Sequence, residues 1–396
     1  MAVDEHEVSR TTQQSAALAT TCATHFVHDG IGDALYVLLP IWSQAFGLSY
    51  AQVGTLRTAY SASLALLQIP AGVLAERLGE RALLAAGTVL AGLAFIWLAA
   101  SQSYAALGGL ILLAGVGSAV QHPLASVLIS RTYAAASRRA ALGVYNFAGD
   151  IGKMCVALGV GFAAALIGWR STVVLYGTIV VAVGIVSFLV LRRFLASTDF
   201  ARVPRATPHA SGWGFANATG FVLLGAIHVF DSACRTGLLT FLPFLLIAKG
   251  STPTNVGFAL AIVFAGGAAG KLICGLVAER FGILRTVILT ELATGLLIIL
   301  IVALPLAWLM ALLLPLGVAL NGTSSVLYGT VAEFVHDDKQ ARSFGLFYTL
   351  GSVASASSPL AFGIVSDFVG VSYALLAIAA LALITLPFCW FLRRHV

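Results

Sequence analysis

The sequence predicts an all-α membrane protein of twelve spanning helices in two pseudo-symmetric six-helix bundles, and three observations carry that reading. Of its 396 residues 59% are hydrophobic and only 10% charged, with a mean hydropathy of +0.97, too little polar surface for a chain that faces water. Apolar stretches of about 20 residues, the length that crosses roughly 30 Å of hydrocarbon, recur about a dozen times. The second half of the chain also repeats the first.

The spans fall near 16–45, 52–75, 82–101, 105–130, 140–168, 171–192, 216–248, 254–277, 285–304, 307–332, 343–366 and 371–392. Residues 1–15 are polar, carry Asp4, Glu5 and Glu7, and lack the basic start and small-residue cleavage site of a secretory signal, so they are expected to form a cytoplasmic tail. The first bundle then occupies 16–194 and the second 216–396. Between them, residues 195–215 carry Arg202, Pro204 and Pro208 and are expected to be a cytoplasmic linker long enough to let the bundles rock.

The charge distribution orients the chain. Sixteen of the 22 Lys and Arg lie in alternate loops: Arg10; Arg77 and Arg81; Arg131, Arg138 and Arg139; Arg192, Arg193, Arg202 and Arg205; Arg280 and Arg285; Lys339 and Arg342; Arg393 and Arg394. The opposite loops hold only Arg170 and Lys249. By the positive-inside rule both termini are cytoplasmic, and the net charge of +6 reports orientation, with no nucleic-acid partner implied. The five cysteines sit within apolar spans at unrelated spacings and support neither a disulfide framework nor a metal knuckle.

The repeat is in register. Sliding the chain by 203 residues aligns His25–Gly79 with His228–Gly282 without a gap, and 15 of these 55 positions are identical, among them Pro40/Pro243, Gly54/Gly257, Glu76/Glu279 and Arg77/Arg280. A shift of 202 then matches Gly143/Gly345, Gly149/Gly351, Gly161/Gly363 and Gly168/Gly370. A displacement of six spans gives parallel halves related by an axis along the membrane normal, an arrangement that places a solute path between them.

The run Gly72-Val73-Leu74-Ala75-Glu76-Arg77-Leu78-Gly79-Glu80-Arg81 resembles the loop signature between the second and third helices of the major facilitator superfamily, with Glu76 for the usual Asp and Glu80 for a basic residue. A carboxylate there can cap backbone N–H groups and pair with a nearby Arg, so Gly72, Glu76, Arg77, Gly79 and Arg81, with Glu279 and Arg280 in the repeat, are expected to form a conformational latch. The alternative is a solvated loop. A narrower likeness rests on His25-Phe26-Val27-His28-Asp29, Leu38-Leu39-Pro40, Gln68 with Gly72, and Gly115-Val-Gly-Ser-Ala-Val-Gln-His122-Pro123-Leu124-Ala-Ser126. These are similar to the fosmidomycin-resistance branch, associated with drug efflux. The branch's acid after His-Pro is Leu124 here, and its Asn after the fifth-helix glycines is Asp150. The resemblance implies the major facilitator fold and an exporter, but not fosmidomycin as substrate.

Ionisable groups inside lipid cost about 2.5–3.5 kcal/mol each on insertion scales, so they mark a partner or a task. His25, Asp29 and Asp33 recur every fourth residue on the first span, with His28 one step around. Asp29 is the expected proton carrier and Asp33 the second; a structural alternative pairs Asp33 with Arg57. The fifth span offers Asn146, Asp150 and Lys153, and the seventh His228, Asp231 and Arg235. The Asp150–Lys153 and Asp231–Arg235 spacings permit intrahelical pairing, which is one reading; contact with an anionic solute is the other. His122, beside the helix-bending Pro123, either satisfies backbone or enters the cavity. Lys271 is expected to snorkel and Glu291 to be structural. The imidazole and carboxylate count allows a transition-metal path to be considered, but no ligand spacing fixes a metal site, and no cofactor is expected.

The expectation for function is a secondary transporter working by alternating access. In detail it is a proton-coupled antiporter, a monomer in a prokaryotic inner membrane, exporting a small polar or anionic compound. Alternatives are proton-driven uptake of an organic anion, transition-metal export, or solute sensing without transport. No phosphate-binding glycine loop, zinc-protease motif or nucleophile elbow points to an enzyme.

Overall fold

A computed structural model describes residues 5–194, 215–336 and 340–394. These are almost entirely helical: α1 (Glu5–Phe46), α2 (Tyr50–Leu78), α3 (Glu80–Leu98), α4 (Tyr104–Ser118), α5 (Gln121–Thr132), α6 (Ala135–Phe194), α7 (Ala218–Ala248), α8 (Pro253–Phe281), α9 (Ile283–Ala303), α10 (Leu306–Thr330), α11 (Gln340–Val369) and α12 (Val371–Leu392). Extended pairing among the described residues is confined to one bridge, Phe215 with Val335. Most of the 195–215 linker, with Arg202, Pro204 and Pro208, lies outside the described residues, as does Lys339.

The spans and the helices map onto each other through two local exceptions with physical causes. Pro123 has no N–H to give the carbonyl of Ala119, and the fourth span divides there into α4 and α5. The fifth and sixth spans run together as α6, broken only at Gly168, whose φ of 77° a residue with a Cβ rarely adopts. Its repeat mate Gly370 has φ 85° between α11 and α12. The remaining positive-φ residues pair in the same way, Gly47 with Gly250 and Gly79 with Gly282, so the repeat extends to the turns.

Among the described residues ten helical runs are long and apolar enough to cross a membrane, and one of them, 136–194, is 59 residues long and contains the Gly168 break. At about 1.5 Å per residue it is long enough for two crossings. The first helix, carrying His25, His28, Asp29 and Asp33, is not among the ten, because polar residues dilute its hydropathy. Large side chains such as Leu66, Ile69 and Phe368 are three-quarters or more exposed, at 75%, 79% and 85%, which only a lipid solvent makes inexpensive.

Two compact units emerge. The first comprises 1–35 and 62–208, the second 36–61 and 209–396. In the first, α3 packs along α6 and α4, and Ala17, Leu84, Leu124, Leu128 and Leu191 share a core. Contacts here are backbone-close: the Cβ that Gly92 lacks would lie 2.8 Å from the carbonyl of Gly177. In the second, α7 packs on α11 and α12, and α8 on α10, around Phe221, Leu224, Phe334 and Phe347.

The second unit also contains the start of α2, fastened to α11. Asp367 accepts hydrogen bonds from the first two backbone N–H groups of α2, Tyr50 at 2.7 Å and Ala51 at 2.9 Å, and Thr58 donates to the carbonyl of Ala356 at 2.6 Å. Gly54 and Gly363 make the approach possible, since a Cβ on either would strike the opposite backbone. A carboxylate across the N-terminus of a helix satisfies orphan donors and meets the positive end of its dipole. Asp367→Ala is therefore expected to lower thermal stability by about 1 kcal/mol, as loss of a helix cap does, and to raise labelling of a cysteine placed at Gln52. An unchanged melting curve and unchanged labelling would remove this clasp from the account.

Candidate functional site

The first unit gathers five of the predicted residues into one cluster around Asp29. Its Oδ2 lies 3.1 Å from Lys153 Nζ and 3.3 Å from His25 Nε2, and its Oδ1 lies 3.8 Å from His122 Nε2. Lys153 also reaches Asp150 Oδ1 at 3.4 Å. Three elements meet here. His25 and Asp29 stand one turn apart on α1, His122 in the first turn of α5 beside the Pro123 break, and Asp150 and Lys153 one turn apart on α6.

Local packing fixes the cluster. The His25 ring stacks on Tyr145 at 4.0 Å, and its Nδ1 is 2.8 Å from the Tyr145 carbonyl, which makes Nδ1 the donor and leaves Nε2 as the acceptor or second donor toward Asp29. The Tyr145 hydroxyl is 3.5 Å from His122 Nδ1. Gly149 lets α6 reach α1, because a Cβ there would lie 2.6 Å from His25 Nε2 and 2.8 Å from Asp29 Oδ2. Gly149→Ala should thus push α6 off the cluster and lower thermal stability by about 1–3 kcal/mol, the range for overpacking, and a melting curve matching wild type would refute this packing role.

The second unit builds the same frame with different chemistry. His228, the repeat mate of His25, stacks on Phe347 at 4.2 Å, the mate of Tyr145, and Gly351 leaves room for its ring as Gly149 does for His25. The positions of Asp29, Asp150 and Lys153 are taken by Ser232, Ser352 and Ser355. The ionic cluster therefore belongs to the first repeat alone. Charge enters the second repeat one step around α7, at Asp231, and one turn on, at Arg235. Asp231 is buried and accepts from Ser324 at 3.2 Å. Among the described residues no Asp231–Arg235 ion pair within 4 Å is formed, although the two charges attract each other on α7.

The other candidates are placed as follows. Asp33 is buried within the electrostatic reach of Lys153. Arg57, also buried, donates to the Tyr36 hydroxyl at 2.8 Å and lies over the rings of Tyr36 and Tyr60. Asn146 is exposed one turn before Asp150. At the signature loop Glu76, Arg77, Gly79, Glu279 and Arg280 are exposed, and neither glutamate enters an ion pair with a described residue. The ion pair that is built there joins Glu80, the first residue of α3, to Arg131 at the end of α5, at 2.6 Å. Glu80 is one of the two residues that depart from the signature, and its place at a helix N-terminus gives that departure a use. Gly72 and Arg81 are half-buried.

His25, Asp29 and His122 bring their donor atoms within 4.8 Å of one another, a metal-like spacing. Lys153, however, puts an ammonium 3.1 Å from the central carboxylate, the place a divalent cation would need. The arrangement suits a carboxylate whose charge is balanced by Lys153 and whose proton can pass to an imidazole. Two grooves of 250 and 470 Å³, one per unit, are lined almost wholly by apolar side chains and hold none of these residues.

The sequence matches the Major Facilitator Superfamily twice, over residues 21–245 and 224–396. The chain belongs to this superfamily. Its relatives within the superfamily include the 3-(3-hydroxy-phenyl)propionate transporter of Escherichia coli, 26% identical over 326 residues (81% of this chain, 79% of that one). An MFS-type efflux pump of Mycolicibacterium smegmatis is 26% identical over 314 residues (75% and 72%). In fold the chain resembles a bacterial homolog of the human lysosomal transporter Spinster, in an inward-facing and occupied conformation, with a TM-score of 0.78 at 17% identity over 96% of this chain and 97% of that one. The unoccupied form gives 0.75 at 18% over the same shares. The twelve-helix, two-bundle major facilitator fold and a transporter rather than an enzyme are thereby established.

Proposed function

We propose that this superfamily member is a proton-coupled secondary transporter in which Asp29 carries the proton and Lys153 meets the solute. The observation that carries the reading is the Asp29–Lys153 ion pair at 3.1 Å inside a cluster that also holds His25, His122 and Asp150. Asp29, Asp150 and Lys153 sum to one negative charge; a proton held between Asp29 Oδ2 and His25 Nε2, whose Nδ1 is committed to the Tyr145 carbonyl, brings the cluster to zero and loosens Lys153 from its nearer partner. A small anion then binds best to the protonated cluster. The proton and an anionic solute favour each other, which is cotransport. The relative that transports a hydroxyphenyl propionate fits this reading.

Antiport with export, expected from the sequence, is the second reading. It is supported by the likeness to the fosmidomycin-resistance branch and by the relative that is an efflux pump, and it requires solute and proton to compete for Asp29, as a neutral polar or cationic compound would. Both readings take the termini to be cytoplasmic, which the basic loops support, the membrane to be a prokaryotic inner one and the transporter to be a monomer, with alternating access moving the site from one face to the other.

Everted vesicles loaded with a proton gradient and a pH-sensitive dye separate the two. Addition of an exchanged solute outside should dissipate the gradient if antiport operates. Cotransport should instead acidify right-side-out vesicles when an organic anion is added, with the Asp29→Asn protein silent in both. If no phosphonate, aromatic acid, organic cation or divalent metal gives a wild-type signal while one of them still binds, proton coupling is wrong and sensing moves ahead.

A further inference from the structure

Beyond the Asp29 cluster, a second pair of acids is buried in the other unit. Asp231 on α7 and Glu291 on α9 are each 2% exposed, and their carboxyl groups lie within hydrogen-bonding reach of one another. Two carboxylates have only acceptor oxygens, so a hydrogen bond between them requires one proton in the bond. The surrounding hydroxyls do not remove that need. Thr385 lies 3.3 Å from Glu291 Oε2 but is only 2.5 Å from the carbonyl of Ala382, and one hydroxyl has one hydrogen to give. Ser324 gives its hydrogen to Asp231, and Thr323 gives its own to Thr290 at 2.7 Å.

The repeat supplies an independent observation. A shift of 203 carries Asp231 back to His28 and Glu291 back to Thr88, and these two are hydrogen-bonded in the first unit, His28 Nε2 to Thr88 Oγ1 at 2.9 Å, with His28 Nδ1 3.2 Å from Ser118. The contact between the first and third helices of each repeat is thus kept. The first repeat fills it with an imidazole, which carries its own N–H, and a hydroxyl, a donor–acceptor pair complete in itself. In the second it is filled with two acids, and the missing donor is a proton.

We propose that Asp231 and Glu291 form a second proton-binding site, holding one proton between them in the membrane interior, separate from Asp29. The groups that set its occupancy are Arg235, His228 and Cys234 on α7, Tyr328 on α10 and Cys389 on α12; Arg235 and Asp231 attract each other, so a solute that draws the guanidinium away favours retention of the proton. The site does not depend on the transport reading, since proton binding can be measured without a solute.

The test is infrared titration of the purified full-length protein, using Asp29→Asn to remove the first cluster's contribution. The expected result is a protonated-carboxyl band at neutral pH that persists in Asp29→Asn, disappears in Glu291→Gln, and shifts in frequency in Glu291→Asp. Absence of that band from the wild type, or its survival in Glu291→Gln, overturns the proposal. The wild-type spectrum decides alone should the Gln variant not fold. A band lost in Asp29→Asn assigns the proton to the first cluster, which also overturns it.

Discussion

Asp29→Asn is expected to abolish proton-driven accumulation, at least a hundredfold below wild type, while the protein still binds its solute and exchanges it downhill. Asparagine keeps the shape of the carboxyl and can still accept from Lys153, but it is fixed in the neutral form. The variant therefore mimics the protonated cluster and loses the ability to cycle. Initial rates in proteoliposomes with and without an imposed pH gradient measure this directly. Wild type should respond steeply to the gradient and Asp29→Asn should not. A variant that still accumulates solute against its gradient would move the proton site elsewhere, with Asp33 the next candidate.

Lys153→Met should be the most destabilising single change in the first unit. It leaves Asp29 and Asp150, both mostly buried, without their cation, and removal of one partner of a buried pair costs about 3–5 kcal/mol. The sign of the second mutation makes this specific. Adding Asp29→Asn to Lys153→Met removes one of the orphaned charges and should restore about half of the lost stability, whereas two unrelated lesions would add. Thermal melts of the four proteins in one detergent provide the cycle, and purely additive losses would show that the 3.1 Å contact is not an energetic unit.

Much of the fold is legible in the sequence because its period is coarse. Spans of about 20 apolar residues stand out without knowledge of any contact, and the 203- and 202-residue shifts mark the turns: among the described residues Gly47/Gly250, Gly79/Gly282 and Gly168/Gly370 are the positive-φ residues, in matching pairs. The four-residue spacing of His25, Asp29 and Asp33 likewise identifies a polar stripe on α1. Which residues meet that stripe is another matter. Lys153 reaches Asp29 because Gly149 and Gly152 let α6 approach α1 over more than 120 residues of chain, and no local spacing encodes that register.

Three assignments show where single-helix reasoning ends. Asp231 and Arg235 have the spacing of an intrahelical pair, yet Asp231 turns to Ser324 and Glu291 on other helices. Glu291, read as structural, has its partner 60 residues away; the signal that finds it is the repeat itself, which maps Glu291 onto Thr88 and Asp231 onto His28. Glu80 stands out from the superfamily signature as an exception, and only the approach of α3 to the end of α5 shows that Arg131 answers it. Asp367, which closes α2 against α11, carries no motif at all.

In the proposed function one cluster binds proton and solute interdependently. Once the vesicle panel names a solute, adding it to concentrated, weakly buffered protein in detergent and following pH measures that link without a membrane. For an anionic solute the expected result is proton uptake by the wild type, shrinking as the starting pH falls and Asp29 becomes protonated beforehand, and none in Asp29→Asn. Proton uptake of equal size in Asp29→Asn, or solute binding to the wild type with no change in bound protons at any pH, would contradict it.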